Sequence, residues 1–119
     1  MLIAAVLNEN EIILPIVEGT VLRIYDTERK VTEDFPNPAN DLTEGRRGAA
    51  LKFAEEKGAK VFVAPPNTFC ELSYNKAKKD NIKFFHISQG LSFTSFEQAL
   101  EKQEIQVQSF LPENEVVPS

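Results

Sequence analysis

The stretch KVFVAPPNTFCELSYNKAKKDNIKFFHI, residues 60–87, decides the fold. Its opening, Lys60 to Ala64, is a short apolar run rich in β-branched and aromatic residues, the pattern of a strand covered on both faces. Pro65-Pro66-Asn67 then stiffens the connection, because each proline fixes φ and lacks an N–H. The segment that follows predicts a helix from near Thr68 to about Lys79. Thr68 and Glu71 stand at capping-box spacing, at which each side chain accepts an orphan backbone N–H at a helix start. Ile82 to Ile87 returns as a strand. A strand, helix and strand of this length favour a right-handed parallel crossover, which brings the carboxyl ends of both strands to one edge of a sheet.

Upstream of this unit, Thr43 to Lys57 places Ala50, Leu51, Phe53 and Ala54 at helical intervals, and Gly58 sits where a left-handed C-cap is common. The first half of the chain reads as strands. Leu2 to Leu7 is continuous and apolar, as in a buried central strand, and Asn8 to Glu11 supplies a turn. Ile12 to Val17 resumes a β-rich pattern, Glu18-Gly19 offers a turn, and Thr20 to Asp26 partly alternates, so a hairpin with an exposed edge around Ile12 to Ile24 is predicted. Val31 to Phe35 predicts a further short strand, ended by Pro36 and Pro38. Downstream, Thr94 and Glu97 repeat the capping-box spacing ahead of Phe96, Ala99 and Leu100, and predict a third, shorter helix. Residues 1–110 therefore read as a single α/β domain. Pro112 and Pro118 flank a polar, acidic stretch, so residues 111–119 read as a flexible tail.

Composition narrows the function classes. A chain of 119 residues with 42% hydrophobic content is the size of one domain with an ordinary core. Its apolar runs fall far short of the roughly 20 residues that span a bilayer, and no basic segment precedes the first of them as in a signal peptide. A cytoplasmic protein without membrane contact is expected. The single cysteine cannot form an internal disulfide. A net charge of −5 argues against nucleic acid as a partner, since a phosphate backbone selects clustered lysine and arginine. Lys76, Lys78, Lys79 and Lys83 lie close together, but such a run on a helix reads as a solvated face.

Several stretches together resemble the dinitrogenase iron-molybdenum cofactor biosynthesis family of small cofactor-binding domains. They are Leu2 to Leu7, Gly19 leading to Arg23-Ile24-Tyr25-Asp26, Arg47-Gly48-Ala49-Ala50 opening a helix, Gly58 to Ala64, Asn81 to Phe85, and the closing helix around Phe96 to Leu100. The resemblance covers roughly residues 1–103. It implies a three-layer α/β/α domain of ribonuclease H-like topology with a mixed five-stranded sheet. It also implies a non-enzymatic ligand-binding or carrier role, with an iron-molybdenum or iron-sulfur cluster as the ligand. Two features depart from the family pattern. Ile16-Val17-Glu18-Gly19-Thr20 stands where relatives place a histidine before a Phe-Gly pair. Ala64-Pro65-Pro66-Asn67 stands where relatives have a glycine-rich loop, and its prolines remove two backbone donors. The carrier is thus one that has either kept its cofactor by another route or lost it.

Four residues are candidates for binding a cofactor or a small anion: Asn67, Thr68, Cys70 and His86. Asn67 and Thr68 would border a helix start, where backbone N–H groups and the dipole favour negative charge, although capping alone accounts for both residue types. Cys70 falls in the first turn of the same helix, where the dipole favours thiolate; its alternative is a small buried hydrophobe. His86, the only histidine, ends a strand predicted to be central, at the carboxyl end where open α/β sheets take ligands, and alternatively serves structure alone. Arg46 and Arg47 form a second possible anion contact, placed against the dipole of the helix they open. One thiol and one imidazole do not complete a metal site, so metal would be held weakly or shared, and no acid, base and nucleophile set implies an enzyme. The rival expectation is a protein-interaction or regulatory module without a cofactor, a monomer or weak homodimer docking through a sheet edge or the acidic tail.

Overall fold

The computed structural model describes residues 1–119. Its strands are β1 (Leu2–Leu7), β2 (Val21–Asp26), β3 (Val31–Pro36), β4 (Val61–Ala64) and β5 (Lys83–His86), and its helices are α1 (Arg46–Glu56), α2 (Glu71–Lys79) and α3 (Phe93–Glu101). The strands form one mixed sheet in the order β3-β2-β1-β4-β5. β1, β4 and β5 run parallel, while β2 and β3 are antiparallel to their neighbours. This is the three-layer α/β/α arrangement, with ribonuclease H-like strand order, that the resemblance implies.

Alternation along the central strands explains the layers. Successive side chains of a strand point to opposite faces, so a run that is apolar at every position needs cover on both sides. Ala4 and Val6 of β1 and Phe62 and Ala64 of β4 meet Ala50, Leu51, Ala54, Tyr74 and Ala77 of α1 and α2. Ile3, Leu7, Val61 and Val63 face the other way, toward Phe93 and Phe96 of α3. Helices α1 and α2 therefore lie side by side on one face of the sheet. No helix is long and apolar enough to cross a membrane.

Several local expectations are corrected. Ile12 to Val17 forms no strand: Ile12 and Ile13 make single bridges to Ser92 and Leu7, and Ile16–Glu18 winds into a 3-10 turn after Pro15. Pro15 has no N–H to continue a ladder. The exposed edge is therefore β3, with β2 paired on both sides, to β1 and to β3. The start of α2 is not capped by Thr68. That residue is buried and its hydroxyl donates to the Pro65 carbonyl at 2.8 Å, whereas Cys70 is the N-cap and pairs reciprocally with Ser73. At α3 the cap is Ser92, whose Oγ accepts from the Ser95 N–H, and not Thr94.

Residues 111–119 are docked and not loose. Gln108 first bridges Phe84 and covers the outer edge of β5. Leu111 is buried, with its N–H donating to the Tyr74 hydroxyl at 2.8 Å. The chain then turns through Glu113–Glu115 and runs beside residues 67–71 as a short parallel ladder. Asn67 N–H donates to Glu115 O, Val117 N–H to Phe69 O, and Glu71 N–H to Val117 O, all within 2.8–2.9 Å. A proline-rich, acidic composition conceals this order. The connection from β4 to α2 has backbone groups that need partners, and the tail backbone supplies them.

Candidate functional site

The β3-to-α1 connection and the β4-to-α2 connection end next to each other, so the first turns of α1 and α2 face a shared cleft of about 390 Å³. Arg46, Arg47 and Gly48 line it from α1, Cys70, Ser73 and Lys76 from α2, and Pro118 and Ser119 from the tail. Leu72, 74% exposed, adds an apolar lip. Two helix N-termini and three cationic side chains converge there on a protein whose net charge is −5.

The cations do different work. Arg46 is tied into the fold, its Nε donating to Ala39 O at 2.8 Å and its Nη2 to Val17 O at 3.3 Å. Lys76 is paired with Asp80 one turn along α2. Arg47 has no ion pair, and its Nε is a buried donor without an acceptor in the protein. A buried donor left without a partner costs about 1–3 kcal/mol. Separately, the charge of Arg47 is uncompensated by any carboxylate and lines the cleft, where it is available to an anion. Beyond Lys76 the cleft adjoins a hollow bordered by Lys52 and Glu55. Burial and the nearby Asp80 carboxylate push the Glu55 pKa up to about 7, against the opposing pull of Lys76 and Lys60.

Cys70 sits at the mouth of α2 with its Sγ 3.3 Å from Ser73 Oγ, and its own N–H donates to the same hydroxyl at 3.0 Å. Burial raises the thiol pKa, but hydrogen bonds from Ser119 and Ser73 and the charge of Arg47 outweigh it and bring the pKa down to about 7. A thiolate is a better nucleophile and metal ligand than a thiol, so this residue is chemically available near neutral pH. Alkylation of Cys70 by iodoacetamide should follow a titration with its midpoint near pH 7, rising as pH rises. At pH 7 the thiolate fraction is on the order of tenfold above that of an ordinary cysteine. A midpoint at the ordinary thiol value, near 8.5, would contradict this electrostatic environment.

Of the four candidates from the sequence, Cys70 alone lines this cleft. Asn67 is exposed in the left-handed region, with φ 71°, and its N–H is taken by Glu115 O. Thr68 points inward. His86, at the end of β5, has its Nε2 2.9 Å from Glu115 Oε1. Ser73 and Ser119 carry no mark of their own in the sequence, and Lys76 reads there as part of a solvated face. Cys70, Ser73 and Lys76 recur every third residue, the spacing of one helix face, and that was the available signal. Nothing local in the sequence points to Ser119.

No family model matches the chain, and no curated protein matches it. Among solved structures, the apo form of the orange protein from Desulfovibrio gigas superposes with a TM-score of 0.74 at 15% identity, covering 89% of this chain and 91% of that one. The NMR structure of a putative NifB protein from Thermotoga, of the DUF35 family, gives 0.65 at 14% identity, covering 94% and 97%. The chain shares its fold with both. At these identities the likeness is one of fold, and the two proteins are matched over nearly their whole length.

Proposed function

We propose that the chain is a non-enzymatic carrier that holds an anionic metal–sulfur cluster, of the iron-molybdenum or iron-sulfur class, in the cleft between the starts of α1 and α2. The observation that carries this reading is the Arg47 charge, without an ion pair, beside a low-pKa thiol in a cleft rimmed by cations. A bare metal ion does not suit the site, because no group of three or more His, Cys, Asp or Glu side chains comes together. A cluster that brings its own sulfides asks for something else. Its negative surface is satisfied by guanidinium and ammonium donors and by backbone N–H groups, with Cys70 able to add one thiolate bond. The basic groups present hold positive charge and do not shuttle protons, and the only imidazole is engaged with Glu115, which suits holding a cargo better than catalysis. The fold shared with the apo form of the orange protein and with the putative NifB protein supports a cofactor-associated role at a coarse level.

The test is anaerobic incubation with tetrathiomolybdate, and separately with iron and sulfide, followed by gel filtration and metal analysis. Metal should elute with the protein at low salt and be stripped progressively as ionic strength rises, since the attraction is largely between exposed charges. Absence of retained metal from the full chain at low ionic strength would rule out the proposal.

A further inference from the structure

The tail does at α2 what a bound anion would do. The first N–H groups of a helix have no partner within it and are the usual seat of a negative ligand. At α2 none of the leading donors is free for one. Glu71 N–H donates to Val117 O at 2.9 Å, and Leu72 N–H donates to Ser119 Oγ at 3.0 Å. The contact is reciprocal, because Ser119 N–H donates to Glu71 Oε1 at 3.1 Å. Pro118 and Ser119 form one wall of the Cys70 cleft. Upstream, the segment is fastened by the Glu115 contact to His86 and by the short ladder to residues 67–71.

These fastenings are peripheral. Pro118 and Ser119 are exposed, Val116 and Val117 are only half-buried, and Leu111 is the last residue of the chain that the core encloses. A segment held by a few backbone hydrogen bonds over little buried apolar surface opens at much lower free energy than the sheet beneath it.

We infer that residues 112–119 are a strap that occupies the ligand position at the N-terminus of α2 and closes the Cys70 cleft, so that a cluster enters by displacing it. This rests on the carrier reading for the identity of the ligand, but closure of the cleft stands on the strap contacts themselves. In the closed form the protein satisfies its own helix donors with a carbonyl and a hydroxyl. A ligand with greater negative charge replaces both, and its apparent affinity is reduced by the fraction of time the strap is shut.

Two variants test this, and only the first gives up a contact with the core, that of the half-buried Val116. One ends the chain after Leu111, which keeps the buried leucine and its bond to Tyr74. The other is Val117→Pro in the full chain, which removes the N–H that pairs with Phe69 O. Iodoacetamide alkylation of Cys70 is read at about pH 10, well above the ordinary thiol pKa of about 8.5, so that the rate reports access and not pKa. Amide exchange is read at Asn67, Glu71 and Leu72, and tetrathiomolybdate retention is measured in parallel. Both variants should alkylate about tenfold faster and retain the anion correspondingly more tightly, and in the full chain the three amides should exchange at least tenfold faster than those of β1. Alkylation within twofold of the full chain in both variants, or exchange of those amides only with global unfolding, overturns the strap. Faster alkylation with no retention by any form leaves the strap standing and overturns the carrier reading. Retention that is equal in all forms, with alkylation unchanged, does the reverse.

Discussion

Arg47→Glu should abolish retention of an anionic cluster while leaving the folded protein as stable as before or slightly more so. Among the three cations of the cleft, Arg47 alone lacks a structural duty: Arg46 bonds the carbonyls of Ala39 and Val17, and Lys76 pairs with Asp80. Its substitution therefore reads the site and not the scaffold. Two charges at contact distance attract by about 4 kcal/mol at an effective dielectric of 20, and partial solvation of the cleft reduces that to about 1–2 kcal/mol. Reversing the charge replaces attraction by repulsion, so the net effect on binding is about 2–4 kcal/mol, or roughly 30- to 1,000-fold. Stability responds in the opposite sense. Arg47 stands in the first turn of α1, where a cation opposes the helix dipole and a carboxylate gains about 0.3–1 kcal/mol. Arg47→Lys should fall between, because it keeps the charge but loses the planar fork. Metal retention and thermal midpoint measured on the same samples check both halves. If Arg47→Glu retains the cluster like the parent chain, the cleft is not its seat.

The parts of the fold that were legible in the sequence are those in which one periodicity admits one answer. Val61 to Ala64 and Leu2 to Leu7 are apolar at every position, which requires two covered faces, and the sheet sandwiched between α1–α2 and α3 meets that requirement. The misread parts depend on partners distant in sequence. Ile12 and Ile13 have β-forming side chains, yet Pro15 cuts the ladder and the 3-10 turn that follows is fixed by packing of Ile16 into the core. Thr68 and Cys70 are both plausible caps by local pattern; burial of Thr68 beneath the β4-to-α2 turn decides between them. The candidate site shows the same division. Cys70 and the arginine pair were each noticed as isolated features, but their meeting in one cleft requires α1 and α2 to start side by side, which no local pattern encodes. His86 ends β5, an edge strand and not the central strand its apolar run suggests, and the tail that engages both His86 and Asn67 is hidden by its own composition.

Gly19→Ala should destabilise the fold by about 3 kcal/mol, at the upper end of the usual cost of overpacking. Backbone conformation is not the reason, because Gly19 has φ −101° and ψ 158°, an extended geometry open to any residue. Space is the reason. A Cβ built there would lie 2.4 Å from Val6 Cγ1 and 2.8 Å from the Leu7 carbonyl oxygen. Val6 is fully buried and β-branched, so its methyl has no free rotamer to retreat to, and the carbonyl belongs to the central strand itself. Relief must come from moving the turn. That movement strains the Thr20 N–H bond to Leu7 O and the bonds from the buried Asn37 Nδ2 to the carbonyls of Ile16 and Gly19. For a domain of this length the loss corresponds to a fall of roughly 10–15 °C in thermal midpoint. Adding Val6→Ala should recover part of it by removing the methyl clash, while the Leu7 carbonyl contact persists, so the double variant is less destabilised than the sum of the single changes. A Gly19→Ala protein within about 1 kcal/mol of the parent would show that the turn can yield. The effect should also reach the site. Val17 O, in the same turn, accepts from Arg46 at the start of α1, so displacing the turn loosens one wall of the Cys70 cleft. Gly19, one of the marks of the family resemblance, thus acts as a packing glycine that holds an arginine in place, and its substitution should weaken cluster retention without touching the cluster.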